Sequence, residues 1–497
     1  MIRKRFIYHL FILLLLALKT ILPAAAQNNT MYFMYPVPQA IHTNPALFYQ
    51  CRTYIELPVI STIRYSYSNS GFSYHDAIHY GTGSSSDSLI IDLENLDGKM
   101  KKNNYVRSDA TVNLAGAGLQ LDNYYLHFNI SNFTESRGGI PGDLLAVRDG
   151  NWDIESGQPR DLDLSGMGLK ATNYFSIAAG VSTEILDGLY AGVTLKYLRG
   201  SASITSPRTD LYLITEADPI ELEAQTNYKI RTSFPMEVAY DPQGYVSSVN
   251  LSNSFSNILQ DFILANNHGA GVDLGVIYQY DDRITLAASL IDLGFIRWKS
   301  NINRFETNGS IIFSGFDLRQ YASNQGNSDF LEVLIDTIAE SFRFETSQDP
   351  YFTSLTPKLY VGAMYQLTEK VNVSALTRTE FFDRLPHFAL TLAGSYSPFP
   401  FLHGTLSYSI MNNRFDQLGF GISVGSGPMQ FYFVSDHIPV FYVRDSSSGL
   451  FWPYSAQTMN FRLGMNLIFG CGENNPSGKP SAYRKRWKSK NSCPAYD

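Results

Sequence analysis

Three short patterns in this sequence carry residue types that do chemistry in other proteins. Gly421-Ile-Ser-Val-Gly425 has the spacing of a nucleophile elbow, where a serine on a sharp strand-to-helix turn attacks an acyl carbon. Here Leu418, Phe420, Ile422 and Val424 alternate with Gly419, Gly421, Ser423 and Gly425, so Ser423 falls in mid-strand. To act, it would need His387, His403 or His437 within hydrogen-bond reach. Asp161-Leu-Asp-Leu-Ser-Gly166 opens like a calcium loop, but its twelfth position is Thr172 and the bidentate glutamate is missing. His75 and His79 have the spacing of a helical metal pair, yet Asp-Ala-Ile between them lacks the glutamate of a zinc protease. The sequence therefore predicts no catalytic residue, no metal and no cofactor; the chain is not expected to be an enzyme. What remains is charge on the polar faces of strands: Glu56, Arg64, Asp273, Lys358, Arg378 and Arg462. Facing a lumen, such groups pair with one another, anchor a plug or set selectivity.

The elements that position these charges are alternating segments. In Met459-Asn-Phe-Arg-Leu-Gly-Met-Asn-Leu-Ile-Phe469, one face carries Met459, Phe461, Leu463, Met465, Leu467 and Phe469, and the other Asn460, Arg462, Gly464 and Asn466. That run, ending on an aromatic, resembles the terminal strand of barrels inserted by the outer-membrane assembly machinery. Short links such as Asp122-Asn123, Leu186-Asp187-Gly188, Asp281-Asp282-Arg283 and Thr368-Glu369-Lys370 join neighbouring segments. They alternate with long ones, 205–268 and 300–355, as in barrels with short periplasmic turns and long outer loops. A soluble sandwich would place its apolar face inward. The polar faces here are rich in Gly, Ser, Thr and Asn, which suits a hydrated interior. The expected fold is all-β: a transmembrane antiparallel up-and-down barrel over 53–470, with about 14 strands.

Composition agrees. Aromatics make up 14% of the chain and charged residues 17%, against about a quarter charged in soluble domains. Arg3, Lys4 and Arg5 precede the apolar run Leu10–Leu18, and Ala24 and Ala26 form a small-x-small site. Residues 1–26 thus read as a signal peptide cleaved near Ala26, sending the chain to the Gram-negative outer membrane. Setting aside 1–26 and the tail, the body holds 28 basic and 43 acidic residues, a net of −15. Nucleic acid is excluded by that balance, because it selects a basic footprint. The outer-membrane lipid is the expected surrounding.

A barrel of this width leaves an interior that its own side chains do not fill. Residues 27–52, with Pro36, Pro38 and Asn44-Pro45-Ala46, do not read as wall and are expected to form an N-terminal luminal plug. Residues 328–343 read as an amphipathic helix behind Ser328-Asp329, and 86–101 as a second short helix with Leu89, Leu93, Leu96 and Met100. Residues 471–497 read as a basic periplasmic tail, in which Cys471 and Cys493 either bridge each other or stay free thiols.

Asn44-Pro45-Ala46, just before the first strand, resembles the N-terminal region of FadL-type barrels. In that family the segment folds into the lumen as a hatch. Gly269-Ala-Gly-Val-Asp-Leu-Gly-Val-Ile-Tyr278, followed by Leu290-Ile-Asp-Leu-Gly-Phe-Ile-Arg-Trp298, is similar to a Bacteroidota family of outer-membrane barrels known as a domain of unknown function, within a FadL/PorV-like superfamily. Its motif positions here are Gly271, Asp273, Gly275, Asp292, Gly294 and Trp298. The resemblance implies passive, FadL-like transport of a hydrophobic or amphipathic small molecule. The alternative it implies is a PorV-like accessory barrel that binds secretion-system proteins and carries no small substrate.

Overall fold

Alternation decides the wall. On Tyr124–Pro141, the side chains of Tyr124, Leu126 and Phe128 point outward and are exposed, whereas Tyr125, His127 and Asn129 point inward and are buried. On Thr458–Cys471, Leu463 and Phe469 lie outside, and Thr458, Asn460, Arg462 and Asn466 inside. An apolar exterior over a polar interior is the polarity of a strand wall facing lipid, where each backbone N–H and C=O is satisfied by the next strand.

The computed structural model describes residues 29–70, 72, 78–80, 89–147, 152–153, 156–217, 220–240, 246–251, 265–313, 345–382, 385–411, 414–425, 428–438, 442–444, 451–453 and 457–471. Its wall strands, in chain order, begin with β1 (Cys51–Glu56, resuming as Ile63–Asn69), β2 (Asn103–Leu121), β3 (Tyr124–Pro141), β4 (Leu169–Leu186) and β5 (Leu189–Ala217). They continue through β6 (His268–Gln279), β7 (Ile284–Trp298), β8 (Lys358–Gln366), β9 (Val371–Phe382) and β10 (Leu385–Phe399). The last are β11 (Leu402–Met411), β12 (Arg414–Val424), β13 (Met429–Ser435) and β14 (Thr458–Cys471). Each pairs antiparallel with the next. β14 returns to β1, with Thr53 opposite Phe469 and Arg64 opposite Arg462. The result is a closed antiparallel 14-strand barrel, and closure removes the edges that an open sheet would expose to lipid.

The links 122–123, 187–188, 280–283, 367–370 and 400–401 gather at one end, the end that the sequence reading expects on the periplasmic side. At the other end the wall forks. The lower half of β5 pairs with β6, while from Ser203 onward it pairs with Ile220–Ser233, which in turn pairs with Ile302–Phe313. Asn267 fastens the fork: its Nδ2 donates to Gly200 O at 3.3 Å and its Oδ1 accepts from Lys299 N at 2.7 Å. Parts of the stretches read as outer segments, 205–217, 220–233 and 302–313, are therefore extensions of the sheet.

Two expectations are corrected. Cys471 is bonded to Cys51, not to Cys493; the two are register partners on β1 and β14, 4.1 Å apart at Cα. Spacing along the tail gave no sign of this, because the partner lies 420 residues away and is brought close only by ring closure. Cys493 and the rest of the tail beyond 471 lie outside the described residues. The helix expected over 86–101 is confined to α1, Leu93–Lys99, because Asp92 caps it by accepting from Asn95 N and Leu89–Ile91 is extended. The helix expected at 328–343, and His75, lie outside the described residues.

Candidate functional site in the lumen

Residues 29–50 lie inside the barrel at its periplasmic half. They form two short 3-10 turns, Thr30–Phe33 and Pro38–His42, with Pro38 opening the second. Proline and the absence of alternation keep the segment out of the sheet. Met31, Tyr32, Met34, Val37, Ile41, Leu47 and Tyr49 are at most 1% exposed and pack against wall residues including Tyr54, Tyr125, Tyr360 and Ile468. Tyr32 stacks on Tyr360 with ring centroids 5.1 Å apart. Each such side chain, fully buried, contributes about 1.5–3 kcal/mol of hydrophobic stabilisation.

The triplet explains its own composition. Asn44 Oδ1 accepts from Ala46 N at 3.0 Å, forming an Asx turn, and Asn44 Nδ2 donates to Tyr32 Oη at 3.0 Å and towards Val276 O at 3.3 Å. A Cβ at Gly275 would collide with Asn44 Oδ1, and one at Gly192 with the Pro45 carbonyl. The glycine of the Gly-Val-Asp-Leu-Gly motif is thus the socket of the Asn-Pro-Ala triplet, 231 positions back along the chain. Glu56 holds the same segment: its Oε1 accepts from Gln39 Nε2 at 3.1 Å and faces His42 Nε2 at 3.5 Å, while Oε2 accepts from Asn113.

Above this level the lumen is charged. On β9, Leu376 touches the plug core, Arg378 and Glu380 are the next inward residues, and Phe382 follows. Glu380 is the hub: Arg107 Nη1 lies 2.8 Å and Arg137 Nη2 3.3 Å from its Oε1, and Arg378 pairs with its Oε2. Arg107 also pairs with Asp109 at 2.6 Å. A second network joins the Gly-Val-Asp-Leu-Gly segment to the strand that follows it. Asp292, at φ 61°, is a bulge residue where the register between β6 and β7 slips beside Asp273. Lys196 Nζ is 2.7 Å from both Asp273 and Asp292, and Lys358 Nζ is 2.6 Å from Asp292. The bulge is what turns both carboxylates to the Lys196 ammonium group, with Asp292 also reaching Lys358.

The remaining motif positions pack the wall. Trp298 is fully buried, donates Nε1–H to Thr353 Oγ1 at 2.9 Å, and lies so close to Gly200 that no side chain fits there. A Cβ at Gly294 would press on Ala270 O and Gly271 Cα, while Gly271 itself has ordinary clearance. Arg64 and Arg462 face each other across β1 and β14; Arg64 Nε donates to Thr111, and Arg462 Nε and Nη1 are buried without a partner among the described residues.

Ser423 pairs in register with His403, but the two ring nitrogens of His403 go to Ser397 at 2.8 Å and Thr405 at 3.2 Å. Asp163 in the calcium-like stretch accepts from Ser165 N and lies 3.3 Å from Lys102. The structure thus gathers Asp273, Asp292 and Lys358 into one network and seats Arg378 in another. Sequence reasoning missed Lys196, Arg107, Asp109, Arg137 and Glu380. The signal was present: each has the inward parity of its strand, and Glu380 stands two residues from Arg378.

Beyond the Glu380 network, towards the outer end, the wall encloses a cavity of 520 Å³. Four basic residues line it, Arg107, Arg137, Lys170 and Arg231, together with His387 and Phe382.

Fold and site together define a plugged, strand-walled membrane barrel with a two-level lumen. The chain belongs to the Family of unknown function (DUF5723), whose model matches residues 45–436. Among curated proteins none matches. Among solved structures it is similar to a Pseudomonas aeruginosa FadL homologue, at 10% identity and a TM-score of 0.39, covering 91% of this chain and 99% of that one. It is also similar to the Ralstonia pickettii toluene transporter TbuX, at 9% identity and a TM-score of 0.40, covering 87% and 94%. A third is the P. putida toluene transporter TodX, at 8% identity and a TM-score of 0.37, covering 90% and 96%.

Proposed function

We propose that this chain is an outer-membrane channel for passive passage of hydrophobic or amphipathic small molecules, with residues 29–50 as its hatch. One observation carries the reading: the segment that fills the periplasmic half of the lumen is joined to the wall by side chains, not by strand pairing. Its contacts include Gln39 with Glu56 and Asn466, Asn44 in the Gly275 socket, and Thr30 with Asp436 and Ser407. A segment held in this way can shift without breaking a ladder of the barrel. The covalent tie at Cys51 leaves it hinged at its C-terminal end. Binding energy in the outer cavity, followed by release past the displaced hatch, needs no bond to be made or broken and no energy source.

The test is removal of residues 27–45, with conductance in planar bilayers and solute uptake into proteoliposomes as readouts. Discrete open events and faster uptake are expected. A truncated barrel that folds, as judged by heat-modifiable mobility, and shows unchanged conductance and uptake rules out the hatch.

A further inference from the structure

We propose that the outer cavity is a binding site for compact aromatic monoanions, arenecarboxylates being the type. The inference rests on the transport reading above and narrows its solute class. Of the described residues lining the cavity, four are cationic and none is acidic. The carboxylates that neutralise the network, Asp109 and Glu380, lie beneath it and are taken by Arg107, Arg137 and Arg378.

Buried donors point the same way. Both ring nitrogens of His387 and the Nε–H of Arg137 are buried without a hydrogen-bond partner among the described residues, and both side chains line the cavity. Leaving such groups unsatisfied costs about 1–3 kcal/mol each. An anionic ligand oxygen accepts from Arg137 Nε–H and from the one N–H of the neutral His387 ring; a neutral hydrocarbon does not, and a cation is repelled. The ligand's body is specified by the rings. The Arg137 guanidinium carbon sits 3.8 Å from the Phe382 centroid, and Lys170 Nζ is 5.3 Å from the same centroid. A flat aromatic body meets the Phe382 ring and the guanidinium planes by stacking, with its charge directed at the cations. The volume of 520 Å³ falls within the range of about 300–1,000 Å³ usual for small-molecule sites.

The experiment uses the full-length barrel in detergent micelles, with fluorescent 2-naphthoate and its neutral isostere 2-naphthamide as probes. Wild type is expected to bind naphthoate at least about tenfold more tightly than naphthamide, the difference expected of hydrogen bonds to a charged group. Lys170→Gln with Arg231→Gln, neither of which pairs with Glu380, is expected to abolish that preference. Thr209→Glu, which places a carboxylate on the cavity lining, is expected to do the same without removing a cation. Equal affinity for the two probes in wild type, or a preference that survives in both folded variants, overturns the site. Proteoliposome flux separates this from the transport reading. Naphthoate that binds but does not cross leaves the site standing and sinks transport. Both probes crossing without discrimination leaves transport standing and sinks the site.

Discussion

The two halves of the lumen are built on opposite principles. The periplasmic half is closed like a protein core: Met31, Met34, Ile41 and Leu47 interlock with Tyr54, Tyr125 and Tyr360, and the polar side chains of Gln39 and Asn44 are engaged. The outer half is held apart by charge, with arginines and lysines gathered on few carboxylates below a cavity where donors remain unmatched. A region filled by interlocked apolar side chains resists entry; one that keeps a cation-lined cavity open invites it. One wall supports both, because its inward positions are mostly aromatic, small or uncharged at one level and mostly charged at the next.

Three substitutions, and a fourth as control, break or sharpen this contrast. The largest effect is expected at the closed half. Gly192→Leu drives a side chain into the Pro45 carbonyl and should expel the plug, giving discrete conductance where wild type is silent. Gly394→Leu, on open space at the exterior, should change nothing and serves as its control. Next is Glu380→Gln, which leaves Arg137 and Arg378 without their carboxylate. In a dry interior this costs about 3–5 kcal/mol of unfolding stability. If urea unfolding gives under about 1 kcal/mol, the outer lumen is hydrated enough to screen its charges, which sharpens the division between the halves. Smallest is Asn44→Ala, expected to cost about 1–3 kcal/mol, confined to the plug. Hydrogen exchange should quicken over 29–50 and stay unchanged in β8 and β9. Equal quickening throughout would mean that plug and wall form one cooperative unit.

Much of the wall was legible from residue order. Alternation across 124–132, 284–298 and 459–469 matches β3, β7 and β14, because the period of a strand is local and polarity alone reveals which face meets lipid. Where the sheet departs from that period the reading stopped short. β5 runs to Ala217, and its upper half changes partner at the Asn267 fork. The inward charges were legible as a set, since Glu56, Asp273, Lys358 and Arg378 share the polar parity. Their pairings were not, because Lys196 reaches Asp292 across strands 96 residues apart.

By itself, the sequence determined an alternating, aromatic-rich wall, an N-terminal segment that could not join it, and a set of inward charges. Each is a property of neighbouring residues and of which side of a strand they occupy. The tertiary structure alone decided that Cys51 meets Cys471, that Gly275 and Gly192 make room for Asn44 and Pro45, and that Glu380 gathers three arginines below a cationic cavity. Those meetings depend on strand count, register and closure of the ring. A slip of one strand would pair different residues while leaving every local pattern intact.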